Sequence, residues 1–138
     1  MKLARIGKIL PFTLFAILLA ATACTVLAKS PGRIELSTTT FDFGTISNRK
    51  AVSQEFTVRN TGQGELSIVG VSTSCGCTTA QIDKQQLAPG ETAQLTVTFD
   101  PLVHNGATGE FVRVVYVRSD DPDTPEATLT VHVTVVEG

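Results

Sequence analysis

Residues 93–100 read Ala-Gln-Leu-Thr-Val-Thr-Phe-Asp, and this stretch decides the fold class. Its apolar residues Ala93, Leu95, Val97 and Phe99 occupy every second position, with polar residues between them. Successive side chains of a β-strand point to opposite faces of the sheet. The period of two therefore predicts a strand with one buried face and one solvated face.

The same alternation recurs on both sides of this stretch. Residues 56–59 and residues 128–135 also place apolar side chains at every second position. Residues 111–117 are apolar on both faces apart from Arg113, which is typical of a strand in the middle of a sheet. No segment of the mature part has a helical period of useful length, so the sequence predicts an all-β domain.

One run changes phase within itself. The apolar residues Leu66 and Ile68 have even numbers, whereas Val69 and Val71 have odd numbers. An extra residue in one strand shifts all later side chains to the opposite face. We therefore expect a β-bulge or a bend near Ile68-Val69.

Turn sequences rich in Gly, Pro, Asn and Asp separate the apolar runs. They occupy residues 60–64, 88–90, 104–106 and 120–125. The first, Asn60-Thr61-Gly62-Gln63-Gly64, is expected to close a hairpin. Seven or eight short strands at regular spacing predict an antiparallel β-sandwich.

Several of these segments, taken together, resemble a known family. They are Phe41–Ile46, Phe56–Gly62, Leu66–Ile68, Ser74–Thr78, Pro89–Glu91, Val97–Pro101 and Ser119–Pro122. The set is similar to the Hydin-like and major-sperm-protein-like immunoglobulin-type domains, and Cys-Gly-Cys-Thr narrows it to the bacterial domain-of-unknown-function family numbered 1573. The resemblance covers residues 35–136. It implies a seven-stranded immunoglobulin-like sandwich in an exported protein, and it implies no particular activity.

The first 28 residues have the order of a secretory signal. Lys2, Arg5 and Lys8 are followed by an uncharged apolar run from Ile9 to Ala28. We expect a signal peptide or anchor helix over residues 1–28, a linker over 29–34 and one sandwich domain over 35–138. All of these assignments place the domain outside the cytoplasm, in the cell envelope.

Cys24 allows three fates for this leader. Ala21-Thr22-Ala23-Cys24 resembles a lipobox, in which the cysteine would carry a lipid. Cleavage after Ala28 would remove Cys24 with the signal. The apolar run is also about long enough to span a bilayer as a retained helix. The three alternatives are therefore attachment to the membrane through a lipid, attachment through a retained helix, and release into the periplasm.

The charge of the mature part excludes one class of partner. Removing residues 1–28 takes away three of the 11 basic residues and none of the 13 acidic ones, which leaves a net charge of −5. Nucleic-acid binding needs clustered positive charge. The expected partner is therefore a protein of the envelope and not a nucleic acid.

Cys75-Gly76-Cys77 is the motif with the most chemistry in the chain. A disulfide between such close cysteines forms a small, strained ring, and strained disulfides are easier to reduce. Gly76 is expected to permit the turn that brings the two residues together. Two thiolates would also suit a soft ion such as Cu(I). Cysteine also packs as a small apolar residue, so a structural role stays open.

A zinc site would need ligands beyond the two cysteines. Structural zinc has four ligands, and only His104 and His132 could complete the set. His132 falls on the polar face of its run and His104 in a loop, where histidines are usually solvated. Zinc is therefore disfavoured, and copper at Cys75 and Cys77 is the metal alternative.

Two functions follow from these observations. The first is a non-catalytic envelope module that binds a protein partner, since no acid, base or nucleophile has a supporting group in sequence. Strand addition at a sheet edge would be its mode of binding. The second is a periplasmic thiol protein that binds Cu(I) or exchanges disulfides through Cys75 and Cys77. The sequence assigns no enzymatic activity to the first and only thiol redox chemistry to the second.

Overall fold

The computed structural model describes residues 28–138. The predicted signal or anchor segment and the lipidation candidate Cys24 lie outside the described residues. Within residues 28–138, no helix combines the length and the apolarity needed to cross a bilayer.

Nine strands and one 3-10 helix make up the domain. The strands are β1 Ile34–Leu36, β2 Thr40–Ser47, β3 Val52–Asn60, β4 Leu66–Thr73, β5 Thr78–Ile82, β6 Gln86–Leu87, β7 Thr92–Phe99, β8 Gly109–Ser119 and β9 Glu126–Val136, and the 3-10 helix is Pro101–His104. Ile34, which the sequence placed at the end of a linker, already belongs to β1. The all-β prediction is confirmed.

The strands form two sheets that pack face to face. One sheet has the order β1-β3-β7-β5 and the other the order β2-β9-β8-β4-β6. Alternate residues of both sheets point inward, and in β7 these are the four apolar residues that the alternation selected. The fully buried apolar side chains between the sheets are Val58, Leu66, Leu87, Leu95, Val97, Phe99, Val115, Val117, Leu129, Val131, Val133 and Val135.

The architecture differs from the sequence prediction in three respects. The domain has more strands than the seven or eight that the sequence predicted. The sequence did not reveal β1 and β6, because they have only three and two residues, too few to show an alternation. An antiparallel arrangement throughout is wrong, because β2 pairs with β9 in parallel. The hairpin at residues 60–64 is also wrong, because β3 and β4 lie in different sheets and this turn carries the chain from one to the other.

The predicted phase change in β4 is confirmed. The pairing of β4 with β8 shifts register between Ile68 and Gly70. Val69 is the bulged residue, and it is 67% exposed, while Ile68 is buried and Val71 packs against the core. The bulge thereby restores an inward direction for the odd-numbered residues that lead to the cysteines.

Strand β8 lies between β9 and β4, as the run of apolar residues predicted. Val115 and Val117 are fully buried, but Val112 on the outer face is 51% exposed. The outer face is therefore only partly covered. Arg113 is on the inner face, at the end of the sandwich where the β4–β5 connection passes.

Candidate functional site

The two cysteines lie in the turn between β4 and β5, where the chain crosses from one sheet to the other. They are joined by a disulfide, and their Cα atoms are 5.4 Å apart. Cys77 is 1% exposed and Cys75 is half-buried. The bond therefore has one sulfur in the core and one near the surface.

Hydrogen bonds to neighbouring strands hold this turn in place. The Thr73 hydroxyl donates to the carbonyl of Cys75 at 2.9 Å or to that of Thr78 at 2.7 Å. Ser74 exchanges two bonds with Val114 of β8: its N–H donates to the Val114 carbonyl, and its Oγ accepts from the Val114 N–H. The turn is thus fixed to β8 on one side and closed on itself by Thr73.

Gly76 does not supply the conformational freedom that the sequence suggested. The φ angle of Gly76 is not positive, and a Cβ added at Gly76 would meet no atom within 4 Å other than those of Cys75 and Cys77. The turn therefore does not require glycine. Gly76 is exposed.

Arg113 contacts both sulfurs. Its Nε lies 3.0 Å from Cys75 Sγ and 3.1 Å from Cys77 Sγ. The guanidinium carbon lies 5.1 Å from the centre of the Phe111 ring, on the same strand, and one terminal nitrogen donates to the Val112 carbonyl at 2.7 Å. These contacts hold a permanent positive charge against the disulfide.

His104 approaches the same pair from the other sheet. It ends the 3-10 helix, whose first turn is capped by Asp100 through a 2.9 Å bond from the Leu102 N–H. The Asp100 N–H in turn donates to the Cys77 carbonyl at 2.8 Å. The donor atoms of His104, Cys75 and Cys77 all lie within 4.8 Å of one another.

The buried side of the site is apolar. Cys77 packs in a cluster with Phe99, Val133 and Val135, and the Phe99 and Phe111 ring centroids are 5.8 Å apart. These side chains exclude water from the Cys77 sulfur. Arg113 and the Thr78 hydroxyl make the polar contacts of this sulfur, at 3.1 and 3.8 Å.

His132 takes no part in this site. It is on β9, with Asp42 of β2 and Val112 of β8 as its cross-strand neighbours on the outer face of the five-stranded sheet. Among residues 28–138, Cys75, Cys77 and His104 are the only group of three potential metal ligands that converge. The structure thus brings one of the two histidines to the cysteines and separates the other.

Sequence reasoning missed Arg113 as a site residue. The signal was present, because Arg113 is the single charged residue in the apolar run of a central strand. A charge in such a position needs a partner. The structure supplies that partner as the two sulfurs, which are 38 and 36 positions away in sequence.

Comparisons with known proteins agree with the fold. The family described as "Protein of unknown function (DUF1573)" matches residues 34–135. No curated protein matches the chain. A crystal structure of a protein of unknown function from Porphyromonas gingivalis W83 is 26% identical with a TM-score of 0.68, covering 75% of this chain and 46% of that one.

Two further structures are similar in fold only. The PapD-like domain 7 of human CEP192 is 11% identical with a TM-score of 0.59, covering 76% of this chain and 86% of that one. The YadV chaperone is 13% identical with a TM-score of 0.57, covering 74% and 51%. The chain thus spans about half the length of the Porphyromonas protein and of the chaperone. These likenesses confirm an immunoglobulin-type sandwich.

Proposed function

The chain belongs to the DUF1573 family of proteins of unknown function, and from this starting point we propose that its domain is an exported thiol–disulfide exchange protein. The supporting observation is the Arg113 Nε, which lies within 3.1 Å of both sulfurs. A cation in contact with a sulfur favours the thiolate that forms when a disulfide opens. A purely structural disulfide needs no such contact.

The exchange step follows from the unequal burial of the two sulfurs. Because Cys75 is half-buried and Cys77 is 1% exposed, a thiolate of a partner dithiol attacks Cys75. The Cys75–Cys77 bond breaks, a bond from Cys75 to the partner forms, and Cys77 leaves as a thiolate beside Arg113. The partner's second thiol then displaces Cys75. The partner loses two electrons and two protons, and the cysteine pair gains them.

The oxidising environment expected outside the cytoplasm also supports this proposal. Exported proteins keep disulfides, whereas cytosolic ones rarely do. The apolar leader over residues 1–28 is the sequence feature that supports export.

We expect Arg113→Met to make the disulfide harder to reduce by about ten- to hundredfold in equilibrium with a dithiol. A hydrogen bond to a charged group contributes about 1.5–3 kcal/mol, and about 1.4 kcal/mol corresponds to tenfold. Arg118→Met is the matched control, since Arg118 is an exposed arginine of the same strand. The thiol content of each variant is measured by alkylation and mass spectrometry after equilibration with dithiothreitol.

Two results would overturn the exchange proposal. The first is a disulfide that stays oxidised in the folded wild-type domain at every dithiothreitol concentration that leaves the fold intact. The second is an equal response of the Arg113 and Arg118 variants. Circular dichroism of each variant confirms that the fold is retained during the measurement.

A second candidate, an envelope module that binds a partner by strand addition, is supported by a different observation. Strand β9 has β2 beside it only from Thr130 onward, so residues 126–129 pair with β8 alone. A groove of about 350 Å³ lies beside this free edge, lined by residues that include Ile34, Leu36 and Ala127. An extended segment of a partner could bond to the free backbone groups of β9 and place apolar side chains in the groove.

Site-specific crosslinking in cells tests the envelope module. A photoreactive residue at Thr128, an exposed position in the groove, is expected to give crosslinks to a defined protein in the envelope fraction. Gln94, exposed on the outer face of β7 in the other sheet, is the control. Recovery of the domain in the cytoplasm, or the same crosslinks from both positions, would contradict this candidate.

A further inference from the structure

We infer that the reduced cysteine pair and His104 together form a three-ligand site for a soft monovalent metal ion, Cu(I) in particular. This inference rests on the reducible disulfide proposed above. It goes beyond that proposal, because disulfide exchange needs neither His104 nor a metal ion. Its geometric basis is the convergence of the three donor atoms of Cys75, Cys77 and His104 within 4.8 Å.

The donor set matches the chemistry of Cu(I). Thiolate sulfur is a soft ligand that selects Cu(I), and imidazole is compatible with copper. Structural zinc is almost always four-coordinate, and within residues 28–138 the group supplies three ligands. Three-coordinate binding through two sulfurs and one nitrogen is therefore the arrangement that these residues offer.

Charge selects a monovalent ion over a divalent one. Two thiolates carry two negative charges, and Arg113 beside them carries one positive charge. A monovalent cation brings the sum to zero, whereas a divalent cation leaves an uncompensated positive charge. Cys77 is buried, and net charge in a buried position is costly.

The three ligands are held by connected backbone elements. The cysteines are in the β4–β5 turn, and His104 ends the 3-10 helix that starts at the buried Pro101. The 2.8 Å bond from the Asp100 N–H to the Cys77 carbonyl joins the two elements directly before that helix. The ligands are thus brought together by the sandwich and not by a mobile tail.

Reduction controls access to this site. In the disulfide the two sulfurs share one electron pair in the S–S bond, and neither sulfur carries the thiolate charge that holds the ion. A dithiol supplies two electrons and two protons, which gives two thiols. Binding of Cu(I) then releases the two thiol protons as the Cu–S bonds form. Oxidation of the pair would expel the ion.

Anaerobic competition against a chromogenic Cu(I) chelator tests this inference on the domain after reduction with a phosphine and removal of the reductant. We expect one Cu(I) per reduced chain, and none on the oxidised chain. His104→Ala should weaken Cu(I) binding at least about tenfold, since even outer-shell partners of ligands cost about ten- to hundredfold when removed. His132→Ala, on the outer face, is the matched control and should bind as the wild type does.

X-ray absorption at the copper edge provides the second readout. The wild type is expected to show two sulfur neighbours and one nitrogen neighbour, and His104→Ala to lose the nitrogen. Arg113→Gln should raise the affinity for Zn(II) relative to that for Cu(I), because it removes the positive charge that disfavours a divalent ion. Equal Cu(I) affinity of the His104 variant and the wild type would overturn the three-ligand site.

The outcomes separate this inference from the exchange proposal. Two titratable thiols that bind no Cu(I) would overturn the metal site and leave disulfide exchange intact. A disulfide that resists reduction would overturn both.

Discussion

Replacing Asn60 by Leu is expected to lower the free energy of unfolding by about 4 kcal/mol. Asn60 is fully buried at the end of β3. Its Oδ1 accepts from the N–H groups of Arg33 at 3.0 Å and Gly62 at 2.9 Å. Its Nδ2 donates to the carbonyls of Gly64 at 2.7 Å and Leu87 at 2.9 Å. The substitution leaves four backbone groups without these partners, and two of them, the carbonyls of Gly64 and Leu87, are in the interior.

Chemical denaturation of the Asn60 variant measures this loss. Gln54→Leu is the matched control, because Gln54 is an exposed amide on the same strand and should change stability by no more than about 0.5 kcal/mol. Asn60→Asp separates the two halves of the interaction. It keeps the acceptor atom and removes the donor to Gly64 and Leu87. Equal denaturation midpoints for the two Leu variants would show that this network contributes nothing.

Replacing Asp121 by Asn is expected to cost about 3 kcal/mol near neutral pH. The Asp121 side chain is 2% exposed, and it accepts from the Arg33 guanidinium at 2.8 Å and from the Ile34 N–H at 2.9 Å. The N–H groups of Asp123 and Thr124 complete its partners at 2.9 and 3.2 Å. An amide loses the charge and turns its own N–H toward one of these donors.

The Asp121 carboxylate should also make the stability of the domain depend on pH. Burial by itself raises the pKa of Asp121, but the hydrogen bonds from Ile34, Asp123, Arg33 and Thr124 outweigh it and hold the pKa below its usual value. A lowered pKa contributes stability that is complete above the unfolded-state pKa of about 3.9. That stability is lost as the pH falls through the lower folded-state pKa. The difference between wild type and Asp121→Asn should therefore shrink below about pH 4.

Asp123→Asn is the control for this prediction. Asp123 pairs with the same Arg33 at 2.8 Å, but its side chain is 72% exposed. Exposed ion pairs contribute little, so this variant should be much less affected at neutral pH. A stability difference between wild type and Asp121→Asn that stays constant from pH 7 to pH 2 would contradict the assignment.

Asn60 and Asp121 perform related tasks at the same end of the sandwich. Both bind the segment Arg33-Ile34, which leads into the short strand β1. A three-residue strand makes few ladder bonds of its own, so these two side chains fix its position. Strand β1 lines the groove beside β9, so the shape of this groove also depends on Asn60 and Asp121.

Several features of the fold follow from the sequence alone. The alternation in residues 93–100 and 128–135 identified strands and their buried faces, because the side-chain period of a strand is a local property. The phase change at Ile68-Val69 identified the bulge for the same reason. The charge of Arg113 marked an exception in an apolar strand, and the family resemblance extended over nearly the whole domain.

The sequence also singled out Cys75 and Cys77 as candidates for a disulfide, since they are only two positions apart, and the structure joins them. Only the tertiary structure decided what surrounds them. Arg113 arrives from β8 and His104 from the 3-10 helix, while His132 lies on the outer face of the five-stranded sheet. The tertiary structure also decided that β2 pairs with β9 in parallel, and that the chain passes from one sheet to the other at residues 60–64. Alternation reports which face a side chain takes, but it carries no information on which distant strand will lie beside it.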